Sequence, residues 1–205
     1  MKPTICATLL LLSTLSFAQS SQRDYLVSEE KDTVFCKIIA LSEKRVEYHI
    51  EDKKSSSKKN IYNFLDLNIT DVSVIENPLG IKIEQPEKGY AHVYLYRPYV
   101  YTGSSLNCKV EYNGSNLVNL KTQSYYLHKV KANEIHKYNW VYSDKTKVEI
   151  NAKEGEVYFI RGSFASAYQP FNTISKVANG MNIFLDNPKI ARYMVLTMKK
   201  ESPTY

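Results

Sequence analysis

Through most of the chain, apolar and polar positions alternate with a period of two, the mark of strands that turn one face to a core. Val34, Cys36 and Ile38 alternate in this way, and Val46, Tyr48 and Ile50 do so again after a turn at Ser42-Glu43-Lys44. Ile61 to Leu67 and Asp71 to Ile75 add shorter runs, with a helical turn at Asn63 to Leu67 as a second reading of the first of these. The pattern predicts four or five short strands in a small β meander or half-barrel.

The alternation is cleaner after Gly89. In Tyr90-Ala91-His92-Val93-Tyr94-Leu95-Tyr96-Arg97-Pro98, one face carries Ala91, Val93 and Leu95 and the other His92, Tyr94 and Tyr96. Pro98 ends the run because it has no N–H for a ladder. Leu106 to Tyr112 and Ser115 to Leu120 flank Asn113-Gly114, a pair suited to the positive φ angles of a type I′ hairpin turn. Strands are expected at Ser124 to Val130, Ile135 to Tyr142, Lys147 to Ala152 and Glu156 to Phe164, and a last hairpin around Asn179-Gly180. Asn187-Pro188 reads as a cap with proline at the first helical position. Ile190, Tyr193, Met194 and Met198 then share one helical face, and Lys199 and Lys200 complement the helix dipole. The fold expected is mainly β: the meander, then seven or eight antiparallel strands in a β-sandwich of Ig-like or prealbumin-like kind, with a C-terminal helix.

Turn residues and a leader divide the chain. Lys2, the apolar run Cys6 to Leu15 and Ser16-Phe17-Ala18 before Gln19 have the order of a secretory signal peptide with its cleavage site. The division is therefore a leader at 1–18, a small β-rich module at 19–80, a polar linker at 81–89 and a sandwich with helix at 90–205. Such a protein is exported, periplasmic or secreted or held at the outer membrane, with no transmembrane segment after cleavage. Position 19 is Gln, so the cysteine of a lipid anchor is missing.

Composition adds one clue and several exclusions. The 205 residues are 43% apolar and 23% charged, which excludes collagen-like, disordered and multi-span membrane chains. Tyrosine stands out at 17 against 7 Phe and 1 Trp, and 14 of the 17 lie from Tyr90 onward. Loss of Lys2 takes the net charge from +6 to +5, a mild excess. The dense block Lys53 to Lys59 reads as a solvated loop tip, so no nucleic-acid partner is expected.

Spacing argues against most catalytic chemistry. His49, His92, His128 and His136 show no HxH or HExxH arrangement, and no CxxC, GxSxG, Walker or GxGxxG motif occurs. Glu51, Asp52, Asp144, Glu154 and Glu156 fall at expected turns, not in a shared cleft. No catalytic residue, metal or cofactor is assigned. Cys36 and Cys108 remain after the leader, either as a disulfide suited to an oxidising compartment or as two small buried hydrophobes. Asp32-Thr33-Val34 matches a short bacterial O-glycosylation acceptor pattern, with a plain strand-edge threonine as the other reading.

The aromatic positions carry the functional expectation. Tyr94, Tyr96, Tyr126, Tyr138, Trp140 and Tyr142 recur at period-two positions on strands that could be neighbours. Exposed, they would form a flat platform for a glycan or an envelope protein, with Tyr94, Tyr96, Tyr126 and Trp140 as ligand-binding residues. Covered, they are the second face of a sheet packed under the helix or the first module. The expected function is a non-enzymatic binding or structural module of the envelope. The rival is a small hydrolase with its site on a His92 and His128 face.

Two stretches resemble known families. Asp24-Tyr25-Leu26-Val27 followed by Asp32-Thr33-Val34-Phe35-Cys36-Lys37-Ile38 resembles a module found at the N-termini of exported Bacteroidetes proteins. Gly89 to Pro98, Gly103-Ser104-Ser105, the hairpin around Asn113-Gly114, Ser124-Tyr125-Tyr126 and Ala152 to Ile160 together resemble the bacterial domain of unknown function family 2846, over residues 88–165. That resemblance implies an exported, envelope-associated β-sandwich whose members include lipoproteins. Ala132-Asn133 departs from the Pro-Gly that many members carry before the strand of His136.

Overall fold

The computed structural model describes residues 23–42, 45–53, 55–77, 79–99, 105–141, 143–164 and 181–203. The leader and the expected strand at Ile174 to Val177 lie outside them. The first part contains β1 (Tyr25–Ser28), β2 (Thr33–Phe35), β3 (Lys37–Leu41), β4 (Arg45–His49), β5 (Ser57–Asn60) and β6 (Phe64–Asn68), with 3-10 turns at Ile61–Asn63 and Val72–Val74. The second contains β7 (Tyr90–Arg97), β8 (Cys108–Tyr112), β9 (Ser115–Leu120), β10 (Ser124–Lys131), β11 (Ile135–Trp140), β12 (Ser143–Asn151), β13 (Val157–Phe164) and β14 (Met181–Leu185). It ends with α1 (Pro188–Leu196) and β15 (Lys199–Lys200). The chain is mainly β, sandwich-like, with a single helix near its C-terminus among the described residues.

Turn chemistry places several of these elements. Asn113 and Gly114 both hold positive φ, 48° and 85°, as the tight β8–β9 hairpin requires. Asn133 takes φ 62° between β10 and β11, a left-handed position that asparagine tolerates in place of glycine. The Asn187 side chain accepts from the Lys189 N–H at 2.9 Å, and Pro188 opens the helix.

Four sheets result, with strand orders β2-β1-β6, β3-β4-β5, β14-β13-β7-β10-β15 and β12-β11-β8-β9. The last two form the sandwich. Its interior holds the aliphatic face of β7, Ala91, Val93 and Leu95, together with Val110, Val118 and Trp140 from the facing sheet. The opposite face of β7 opens a second core. There Tyr94 and Tyr96 lie with Tyr125 and Phe159 beneath the buried helix residues Ile190, Ala191, Met194 and Val195. Leu26, Ile38, Tyr48 and Leu67 of the first part belong to this same cluster, and Ile81 and Ile83 of the 81–89 stretch pack on it. The first part therefore buries its apolar faces jointly with the aromatic face of the sandwich.

Several local expectations change. The run from Val34 to Ile38 is two strands broken at Cys36, because β2 pairs with β1 and β3 with β4. Asp71 to Ile75 is a 3-10 turn that Asp71 caps by accepting from the Ser73 N–H at 2.9 Å. The lysine block is not only a loop tip: Ser57–Asn60 pairs with β4, and Lys58 meets Glu47 at 3.0 Å. Nor is the sandwich wholly antiparallel, since β13 runs parallel to β7 and the short β15 parallel to β10. Lys199 and Lys200 form that strand, beyond the helix end at Leu196 and its cap Thr197. Cys36 and Cys108 are both free thiols, one in each core, so they form no disulfide.

Candidate functional site

The expected aromatic platform is divided between the two cores. Tyr94 and Tyr96 are 1% and 0% exposed and face the helix and the first part. Trp140 and Tyr138 point into the sandwich from the facing sheet, and Tyr126 packs half-buried against that same interior. Residues on opposite sides of the five-stranded sheet cannot make one surface; Tyr142 falls outside the described residues. Tyr94 is tied down further, because its hydroxyl accepts the Glu84 N–H at 2.8 Å. Burial pushes that phenol up to about 12.

The histidine pair separates in the same way. His128 sits opposite Val93 in the β10–β7 ladder, whereas His92 sits opposite Lys129, so the two rings project from opposite faces of the sheet. His92 is fully buried, with Nδ1 3.1 Å from the Glu84 carbonyl. A carbonyl only accepts, so Nδ1 carries the proton in that contact. No joint His92 and His128 site forms, which removes the geometry of the hydrolase reading. Among the described residues no group of His, Cys, Asp and Glu side chains is placed to hold a metal ion.

Instead His128 joins a cluster that sequence spacing did not reveal. Its Nδ1 lies 3.0 Å from the Tyr138 hydroxyl, and the His136 Nδ1 lies 2.7 Å from the Tyr112 hydroxyl. The His136 Nε2 donates to the Lys131 carbonyl at 2.7 Å. Tyr112 stands edge to face with His128 at 4.5 Å and stacks with His136 at 5.8 Å. Burial, reinforced by His136, holds the His128 imidazole down to about 4, and burial pushes the Tyr138 phenol far up.

A second feature lies on the first part of the chain. The Asp24 carboxylate accepts from the Ile38 N–H at 2.8 Å, the Thr70 N–H at 2.7 Å and the Thr70 hydroxyl at 2.6 Å. Those bonds fix the crossing at Cys36 where the chain leaves one sheet for the next. The crossing leaves a cleft of about 210 Å³ lined by Arg23, Asp24, Phe35, Lys37, Glu51 and Asp71, among others. Phe35 on its rim is 60% exposed, and Val72 beyond Asp71 is 68% exposed. Along 33–39 the alternation itself announces this arrangement: Thr33, Phe35, Lys37 and Ile39 point outward while Cys36 and Ile38 point in. Thr33 is exposed on the edge strand β2, in keeping with its reading as a strand-edge threonine.

The Arg-Pro end of β7 has a structural role. Arg97 is buried and its Nη1 donates to the carbonyls of Leu106 and Leu120, the latter at 3.3 Å, tying β7 to the loop before β8 and to the end of β9. No family model matches this chain, and neither a curated protein nor a solved structure matches it.

Proposed function

We propose that the protein is an exported, non-catalytic binding module of the bacterial envelope that takes an envelope protein or a glycan through the cleft beside Phe35. The observation that carries the reading is that cleft, which sets a ring 60% exposed beside cations (Arg23 and Lys37) and carboxylates (Glu51 and Asp71). An aromatic face next to fixed charges can stack on a sugar or an apolar side chain while the charges set orientation. The resemblances at 24–38 and 88–165 support the envelope setting, and the leader-like 1–18 stretch supports export. The buried tyrosines leave this role to the first part, since Tyr94 and Tyr96 are used in packing.

The test is retention of the purified mature chain on isolated envelope glycan and on envelope protein fractions. Phe35→Ser should weaken retention about tenfold or more on one of them, the loss expected of a central aromatic contact. Ile135→Ser, at an exposed position of the sandwich outside the cleft lining, should leave it unchanged. Retention that is indifferent to Phe35→Ser removes the cleft as the site.

A further inference from the structure

At one end of the sandwich a neutral imidazole holds a buried phenol. Tyr138 on β11 is 0% exposed, and the Nδ1 of His128 on β10 lies 3.0 Å from its hydroxyl. A buried O–H needs an acceptor, so Nδ1 presents its lone pair and the imidazole proton sits on Nε2. The ring is walled by Tyr112 at 4.5 Å, Tyr138 at 5.9 Å and Tyr126 at 6.2 Å. These contacts join the five-stranded sheet, through β10, to β8 and β11 of the facing sheet.

We propose that the His128–Tyr138 contact is an acid-sensitive latch between the two sheets, closed while His128 is neutral and released at this end of the sandwich when the ring takes up a proton. The reason lies in bond direction. A proton on Nδ1 turns the acceptor into a donor, the Tyr138 oxygen must accept, and the buried O–H loses its partner. The new charge also sits among aromatic walls instead of beside a carboxylate. The titratable groups around it are Tyr112 from β8, Tyr126 from its own strand, and His136 and Tyr138 from β11; Glu134 in the β10–β11 turn acts on Tyr112. His136 opposes the charge as a second imidazole, and burial with His136 already holds His128 down to about 4. His136 is not itself the latch. Its Nε2 keeps the Lys131 carbonyl in either state, and its phenol partner Tyr112 is half-buried, so that hydroxyl can turn to water.

Amide hydrogen exchange of β10 and β11 at about pH 7 and about pH 3 tests the latch, since these values lie on either side of a His128 midpoint of about 4. Corrected for intrinsic exchange, protection of the Tyr138 amide in the native sequence should fall about tenfold or more on acidification. His128→Gln, whose amide oxygen still accepts from Tyr138 but does not titrate, should keep its protection, and His136→Gln should lose protection as the native sequence does. An equal loss in His128→Gln, no loss in the native sequence, or a loss abolished by His136→Gln overturns the proposal. Should His128→Gln fail to fold, the native His128 ring titration decides by NMR. A midpoint near 4 with Tyr138 ring signals moving in step upholds the latch; one at or above the ordinary histidine value overturns it.

Discussion

The Tyr96 hydroxyl donates to the Asp186 carboxylate, joining the central strand β7 to the residue that leads into α1. The same carboxylate oxygen lies 3.5 Å from the Arg161 Nε, and its other oxygen accepts the Asn187 N–H at 2.8 Å. Arg161 in turn lies over the Phe184 ring at 4.4 Å. A tyrosine that composition marked as a candidate ligand contact is thus part of the mount for the helix. Tyr96→Phe should cost about 1.5–3 kcal/mol, the usual worth of a hydrogen bond to a charged group. Asp186→Ala should cost about 3–5 kcal/mol, because it strips the carboxylate from a buried guanidinium. Urea midpoints give both numbers, and a Tyr96→Phe midpoint equal to that of the native sequence would sink this account of the helix mount.

Gly162 and Cys108 meet inside the sandwich with no space to spare. A Cβ on Gly162 would stand 2.9 Å from the Cys108 Sγ, closer than real Cβ contacts come. Gly162→Ala should therefore destabilise by about 1–3 kcal/mol, the range for overpacking a filled core. Adding Cys108→Ala to the same chain removes the obstructing atom, so the double variant should recover part of that loss. A double-variant cycle with strictly additive costs would show that the two positions do not press on each other.

Both thiols should be inert in the folded protein. Burial first, and the nearby Asp24 charge second, push Cys36 up to about 11; burial raises Cys108 well above its ordinary value. Since the thiolate is the reactive form, neither should take a maleimide at neutral pH before unfolding, and both should after it. The cysteines lie in different cores, so mass spectrometry under non-reducing conditions should find no peptide pair joining Cys36 to Cys108. Recovery of such a pair from natively folded protein would contradict the placement.

The legible parts of the fold are those governed by local rules. Asn113-Gly114, Asn187-Pro188 and the alternation along β7 each fix backbone geometry within a few residues, and all three are found as expected. What alternation leaves open is what covers each face, because a covered aromatic face and an open one have the same period. Tyr94 and Trp140 share a periodicity yet belong to different cores, and only strand order separates them. The parallel β7–β13 pair is hidden for a related reason: strand direction depends on a long-range partner, not on the residues of either strand. The cleft was half legible, its outward Phe35 and Lys37 visible in the pattern and its Asp24 clamp dependent on Thr70, 46 positions away.

A change at Asp24 tests whether the chain unfolds in one step or two. Its carboxylate holds Ile38 and Thr70 together, and the residues so positioned pack into the cluster that contains Tyr94, Phe159 and Met194. Joint burial predicts coupling: damage in the first part should be felt by the sandwich. Asp24→Ala leaves the buried Ile38 N–H without its acceptor, while the donors of the exposed Thr70 can turn to water, and should cost about 1–3 kcal/mol, the penalty for one buried group left unpaired. Trp140, buried in the sandwich interior and remote from Asp24 in sequence, reports on the other core. In urea, its fluorescence transition should coincide with the far-ultraviolet dichroism transition, and Asp24→Ala should move both midpoints together. A Trp140 midpoint that stays in place while the dichroism shifts would mean that the first part melts separately, and the shared cluster would then contribute little to holding the two parts as one cooperative unit.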